Sequence, residues 1–290
     1  VSGELQAFDL ILSSGFLAYV PRPRAAALHH AHPFPPPPHP PHSFAAHSGF
    51  LAAVDEAGLA SAVRGVMGTS AGALAGALYS AGYAPEEMAD VLSEKAPLSY
   101  LSLNSQALWT GMFRLDGAVE RLRELLPATF EELPMRFAVG VIDARGRHVT
   151  LSSGALPEAV AASMAVPCLF RAVDIPGARA HAGPYADGGK VDRVGLRPWR
   201  RLVAADVGAS AQAVTPALCH VIERSSPFSG DDDVEAAARE AGPPHSVLLV
   251  RSPRSRQSLL QLTDFQPQFQ AARARAALVL AAAPQLAAAR

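Results

Sequence analysis

The chain has 290 residues, of which 49% are apolar and 18% charged, so it is not a disordered chain and can bury the core of one large domain or two small ones. A formal net charge of -1 gives no bulk field toward DNA or anionic lipid, and nucleic acid is not an expected partner. Its two cysteines, Cys168 and Cys219, exclude a disulfide framework and a cysteine zinc site, and no apolar run is long enough to span a bilayer.

The sequence opens on Val1, which leaves open a signal or transit peptide ahead of it; with no anchor visible, the default compartment is the cytoplasm. "FDLILSSG" (8–15) is an apolar run ending in small residues, the pattern of a buried strand entering a tight loop. "YVPRPRAAALHHAHPFPPPPHPPHS" (19–43) has neither a helical nor a strand period, so it is expected to be extended or disordered. Its histidines hint at metal binding, but the composition is that of an unstructured insert. "FAAHSGFLAAVDEAGL" (44–59) has Phe44, Phe50, Leu51 and Val54 at helical spacing, with Gly58 placed to end the helix.

"AVRGVMG" (62–68) reads as a strand and "SAGALAGALYSAG" (70–82) as a helix of small residues. "APEEMADVLSEK" (84–95) and "DGAVERLRELLP" (116–127) read as helices, the second clearly amphipathic. "MRFAVGVIDAR" (135–145) and "RHVTLSSG" (147–154) predict two strands joined by a tight turn, and "PEAVAASMAVP" (157–167) a helix stopped by Pro167. "AHAGPYADGGKVDRVGL" (180–196) is a Gly-rich loop. "RRLVAAD" (200–206) and "HSVLLVRS" (245–252) are strand candidates, "RSPRSR" (251–256) a solvated loop, and "FQAARARAALVLAAA" (269–283) a closing helix. Strands alternating with helices predict an α/β fold with a mostly parallel central sheet. Cys168 and Cys219 stand in apolar stretches and read as buried free thiols.

The chemistry centres on Gly68-Thr69-Ser70-Ala71-Gly72, a G-x-S-x-G pattern between a strand and a helix. A serine hydroxyl is a poor nucleophile until a neighbour takes its proton. A tight turn at a helix N-terminus exposes it and offers free N–H groups to developing negative charge. The pentapeptide alone equally fits small residues in an Ala/Gly-rich helix. For a base, a Ser-His-Asp triad would draw on His220 or His245. His47, His148 and His181 are no better marked, and all five read as solvated or structural. Asp187, followed by Gly188 and Gly189, is either a loop carboxylate able to act as base or a simple turn. Arg193 reads as a surface ion-pair partner or as a contact for an acidic head group.

Together, "LILSSG", "HSGFLAAVDEAGL", "GTSAGALAGAL", "SGALPEAVAASMAVPCLF" and "YADGG" resemble, in order, the patatin-like phospholipases, from about residue 8 to residue 198. The resemblance implies a single three-layer α/β/α domain over residues 1–290 and a lipid acyl hydrolase with a Ser-Asp dyad and no histidine. In it Ser70 is the nucleophile and Asp187 its base. Lipid or acyl ester is the substrate, met in part at membrane surfaces, and no metal or cofactor is implied. The oxyanion would rest on N–H groups near Ser14, Gly15 and Ala71.

The chain departs from the family in its glycine-rich loop, where "SSGF" keeps one glycine of the expected cluster. Removing 19–43 rejoins "LILSSGFLA" to "FAAHSGFLAAVDEAG" at the expected length. The tract therefore reads as an insertion in the oxyanion loop, and translated intron sequence is one origin for it. Misaligning one oxyanion donor costs about a hundred- to a thousand-fold in rate. The second reading is accordingly a catalytically impaired patatin-like protein that binds lipid or a partner.

Overall fold

A computed structural model describes residues 7–15, 42–93, 102–104, 111–178, 181–207, 215–223, 247–253 and 265–282. Most of the Pro/His-rich tract and His245 lie outside these residues; the two last tract residues, His42 and Ser43, begin a helix.

The strands are β1 (Phe8–Leu12), β2 (Val63–Thr69), β3 (Ser102–Leu103), β4 (Phe113–Arg114), β5 (Arg136–Ile142), β6 (His148–Leu151), β7 (Ala186–Asp187), β8 (Ala217–Ile222) and β9 (Val247–Ser252). The helices are α1 (His42–Glu56), α2 (Ala71–Ser80), α3 (Met88–Ser93), α4 (Asp116–Leu125), α5 (Leu156–Met164), α6 (Leu196–Val207) and α7 (Phe265–Ala281). Seven strands form one sheet in the order β6-β5-β2-β1-β8-β9, with β7 also on β5. From β5 to β9 all neighbours run parallel, while β6 and β7 pair antiparallel with β5. Strands β3 and β4 form a separate hairpin.

Side chains alternate across a strand, so each buried strand serves two cores. Leu10, Leu12, Val66, Phe137, Val139 and Leu218 face one core, built with α1, α2, α5 and α7. Ile11, Met67, Ala138, Cys219 and Val221 face the other, against Leu196 and Trp199 of α6. The result is the expected three-layer α/β/α arrangement.

Two element assignments need correction. "RRLVAAD" is not a strand but the latter part of α6. Leu196, Trp199, Leu202 and Val203 recur at helical spacing and put one face on the sheet, whereas the short run "LVAA" viewed alone has no period to tell helix from strand. The segment "ALCHVI", which carries no clear strand pattern in the sequence, is β8, buried at all six positions. The helix expected from residue 84 starts later, at Met88. Gly58, at φ +72°, follows α1 as expected, in the left-handed region that glycine enters without strain.

Register on β5 positions the site. Strand β2 ends at Thr69, opposite Gly140, and the next residue of β5, Val141, pairs with Asp187 of β7. Since β6 already holds the other edge of β5 at Val141, β7 must continue the edge that β2 leaves. The chain turns out of the sheet at Ser70 and returns beside that exit at Asp187.

Candidate active site

Ser70 lies between β2 and α2 with φ 55° and ψ −117°, a strained conformation for a residue with a side chain. Its surroundings hold that strain. The Ser70 N–H donates to Ser163 Oγ at 2.9 Å, and Ser163 Oγ donates to the Gly140 carbonyl at 2.8 Å. Close approach explains the flanking glycines. A Cβ on Gly68 would strike Gly72 and Ala73, and one on Gly72 would strike the Leu12 and Ser13 carbonyls. The start of α2 therefore packs directly under the loop that follows β1.

The Ser70 hydroxyl faces the Asp187 carboxylate closely enough to favour its ionised form. Gly189 N–H donates to Asp187 Oδ1 at 2.7 Å, and Asp187 N–H donates to the Ala165 carbonyl at 3.0 Å, so carboxylate and backbone are both fixed. Burial pushes the Asp187 carboxyl up to about 6, against the opposing effects of the Gly189 N–H, the Ser70 hydroxyl and the Arg193 charge. A carboxylate in that range is mostly ionised at neutral pH yet is a stronger base than a solvated one.

The expected oxyanion donors do not all point the same way. The Ser14 N–H donates to the Arg193 carbonyl at 2.7 Å, which corrects its assignment as an oxyanion donor. Ser14 keeps its hydroxyl, buried, without a hydrogen-bond partner among the described residues and packed against Gly189. Ala71 opens α2, so its N–H has no intrahelical acceptor. Gly15 lies against Ser43, whose hydroxyl donates to the Gly15 carbonyl at 3.0 Å. The two ends of the segment between them are thus pinned together.

Arg193 is corrected too. It is buried, and its guanidinium donates to the Ser14 and Ile222 carbonyls at 3.0 and 2.9 Å. Cys168 is exposed, not buried, at φ 71°, whereas Cys219 is buried as expected. Among the described residues no cluster of metal-ligating side chains occurs, and no helix is long and apolar enough to cross a membrane.

The buried histidines form a chain of their own behind the loop. His47 Nε2 lies 2.8 Å from the Ser13 carbonyl, His47 Nδ1 lies 2.8 Å from His220 Nδ1, and His220 Nε2 lies 2.9 Å from Ser252 Oγ. A carbonyl only accepts, so His47 carries its proton on Nε2. With both rings neutral, His220 then donates from Nδ1 and accepts from Ser252. His220 is therefore bound to His47 and Ser252, which excludes it as the base of a serine triad in this arrangement.

Sequence reasoning missed Ser163 and the role of the two histidines. Ser163 lies in the last turn of α5, within "PEAVAASMAVP", and nothing local marks a serine there as the support of a distant backbone.

Comparison with known proteins agrees with this architecture. The model of the patatin-like phospholipase family matches residues 42–198, more than half of the chain, and the chain belongs to that family. The match begins after β1, so the Ser13–Gly15 loop lies outside it. Among solved structures, VipD from Legionella pneumophila is similar over 96% of this chain and 67% of its own, with a TM-score of 0.53 and 13% identity. The type III effector protein ExoU is similar over 96% of this chain and 53% of its own, with a TM-score of 0.45 and 12% identity. At 13% identity the likeness to VipD concerns the fold alone. No curated protein sequence matches the chain.

Proposed function

We propose that the chain is a serine lipid acyl hydrolase that cleaves acyl esters through a Ser70–Asp187 dyad. The supporting observation is Ser70, held on a strained elbow, with its hydroxyl favouring the ionised form of a carboxylate whose proton affinity burial has raised. Ser70 Oγ attacks the ester carbonyl carbon as Asp187 takes its proton. The tetrahedral oxyanion rests on the N–H groups of Gly15 and Ala71. Collapse breaks the bond to the alcohol, which leaves with the proton from Asp187. Water then gives its proton to Asp187 and attacks the acyl-enzyme; the acid departs and Ser70 regains its hydrogen.

A fluorophosphonate probe tests this reading, because covalent labelling requires an activated serine. Labelling at Ser70, lost in Ser70→Ala, supports it. An unlabelled, folded wild-type protein supports instead the impaired, lipid- or partner-binding reading, which the engaged Ser14 N–H favours. Because the base acts in its ionised form, kcat/KM is expected to rise tenfold per pH unit below about 6 and level off above it. Asp187→Asn is expected to remove nearly all turnover of a short-chain ester. A histidine variant with an equal loss and an intact fold would favour a triad.

A further inference from the structure

Three side chains from outside the Ser13–Gly15 loop hold its carbonyls in turn, and the loop's own Ser13 Oγ adds a longer bond to Ser14 O at 3.4 Å. His47 Nε2 donates to Ser13 O at 2.8 Å, Arg193 to Ser14 O at 3.0 Å, and Ser43 Oγ to Gly15 O at 3.0 Å. Arg193 is the unusual member, because it holds Ser14 from both sides. Its guanidinium takes the Ser14 carbonyl while its own backbone carbonyl accepts the Ser14 N–H at 2.7 Å. The same guanidinium reaches the Ile222 carbonyl at 2.9 Å, and Ile222 N–H donates to Ser13 Oγ at 3.0 Å. Loop, end of β8 and the segment after β7 are thereby joined around one buried side chain.

Peptide geometry gives this clamp a consequence. In a trans peptide the carbonyl of one residue and the N–H of the next point in opposite directions. Fixing Ser14 O on Arg193 aims the Gly15 N–H away from Arg193. The loop in turn lies on the first turn of α2, where the Leu12 and Ser13 carbonyls back onto Gly72. Among the described residues, the loop N–H left for an oxyanion is that of Gly15, and its direction thus depends on Arg193. Glycine, with its wide conformational freedom, would not hold that direction unaided.

We infer that Arg193 is a positioning residue, which clamps the Ser13–Gly15 loop so that the Gly15 N–H meets the oxyanion formed at Ser70. The inference rests on the hydrolase reading above. Arg193 also faces the proposed base: its charge favours the carboxylate form of Asp187, alongside the Gly189 N–H and the Ser70 hydroxyl. One side chain therefore bears on both the donor and the base, and the two effects separate in the kinetics.

The test begins with fluorophosphonate labelling of the wild-type chain, whose absence would remove the hydrolase reading before Arg193 is at issue. With labelling present, Arg193→Gln and Arg193→Lys are compared on a short-chain ester across pH 5–9. Arg193→Gln is expected to lower kcat about a hundred-fold with KM within threefold, the cost of a misaligned oxyanion donor. It is also expected to move the acid limb of kcat/KM to higher pH. Lysine keeps the charge as a compact ammonium without the planar fork, so Arg193→Lys is expected to leave the acid limb in place and still lose at least tenfold in kcat. Wild-type kcat in either folded variant overturns the clamp. If the glutamine variant does not fold, the lysine variant alone decides by the same criterion.

Discussion

Ser163 supports the backbone of Ser70, the proposed nucleophile, and the smallest substitution there should register. Fully buried, it accepts from the Ser70 N–H and donates to the Gly140 carbonyl. Alanine would leave a buried donor and a buried acceptor unpaired, each costing about 1–3 kcal/mol unless water replaces the hydroxyl. The strained Ser70 backbone would lose the contact that fixes it. Ser163→Ala is expected to lower stability by about 2 kcal/mol in urea unfolding and to lower kcat more than tenfold, with little change in KM. A variant that loses stability but labels with fluorophosphonate at the wild-type rate would show that Ser163 is structural only. At this scale the glycine neighbours of Ser70 and Asp187 mark two tight turns in the sequence, and the family resemblance is what proposes the pair as a dyad. The sequence could not reveal Ser163, Ser43 or the fate of the Ser14 N–H, since each depends on a partner 28 to 179 residues away.

Element by element, legibility followed the length and clarity of the hydrophobic period. Helix α2 and strand β2 are readable because the short β-branched run "AVRGVMG" gives way at Ser70 to a helix of small residues. Helix α6 was not, because its buried face begins at Leu196 and Trp199, upstream of the short run that looks like a strand. Strand β8 was hidden because His220 interrupts its apolar pattern; only the tertiary pairing with His47 and Ser252 makes that residue compatible with a buried strand. The break between β1 and α1 has its own test. The Ser43 hydroxyl on the Gly15 carbonyl brings the flanks together. Closure entropy grows with the logarithm of loop length, so shortening segment 16–42 about threefold stabilises by roughly 1 kcal/mol. A chain with 19–41 replaced by a short Gly/Ser link is therefore expected to melt no lower than wild type and to keep its fluorophosphonate labelling. A loss of several degrees would mean that the tract itself supports the fold.

Across the whole molecule, the buried titrating groups pull stability in opposite directions as pH falls. Burial holds His47 down to about 4 and His220 well below its ordinary value, the latter also through His47 and Arg275. The unfolded chain, with ordinary histidines, binds those protons first. Their contribution is complete above about pH 6.5 and is lost as pH drops toward 4, by about 2 kcal/mol at pH 5 for His47. Asp187 has the reverse sign. Its folded carboxyl titrates near 6 against 3.8 unfolded, so the folded state gains on acidification between those values. Above pH 6 the buried carboxylate instead costs up to about 3 kcal/mol. Asp187→Asn keeps an acceptor for the Gly189 N–H while removing the charge. It is expected to be inactive yet more stable than wild type at pH 7, with the advantage shrinking as pH falls from 6 toward 4. The histidine protons then stand without the opposing aspartate, so the variant also destabilises more steeply with acid. Paired urea titrations of wild type and variant at pH 4, 5, 6 and 7 measure this. A gap that stays constant over the series would show that the Asp187 carboxylate is not under desolvation strain, and the raised basicity assigned to the dyad would go with it.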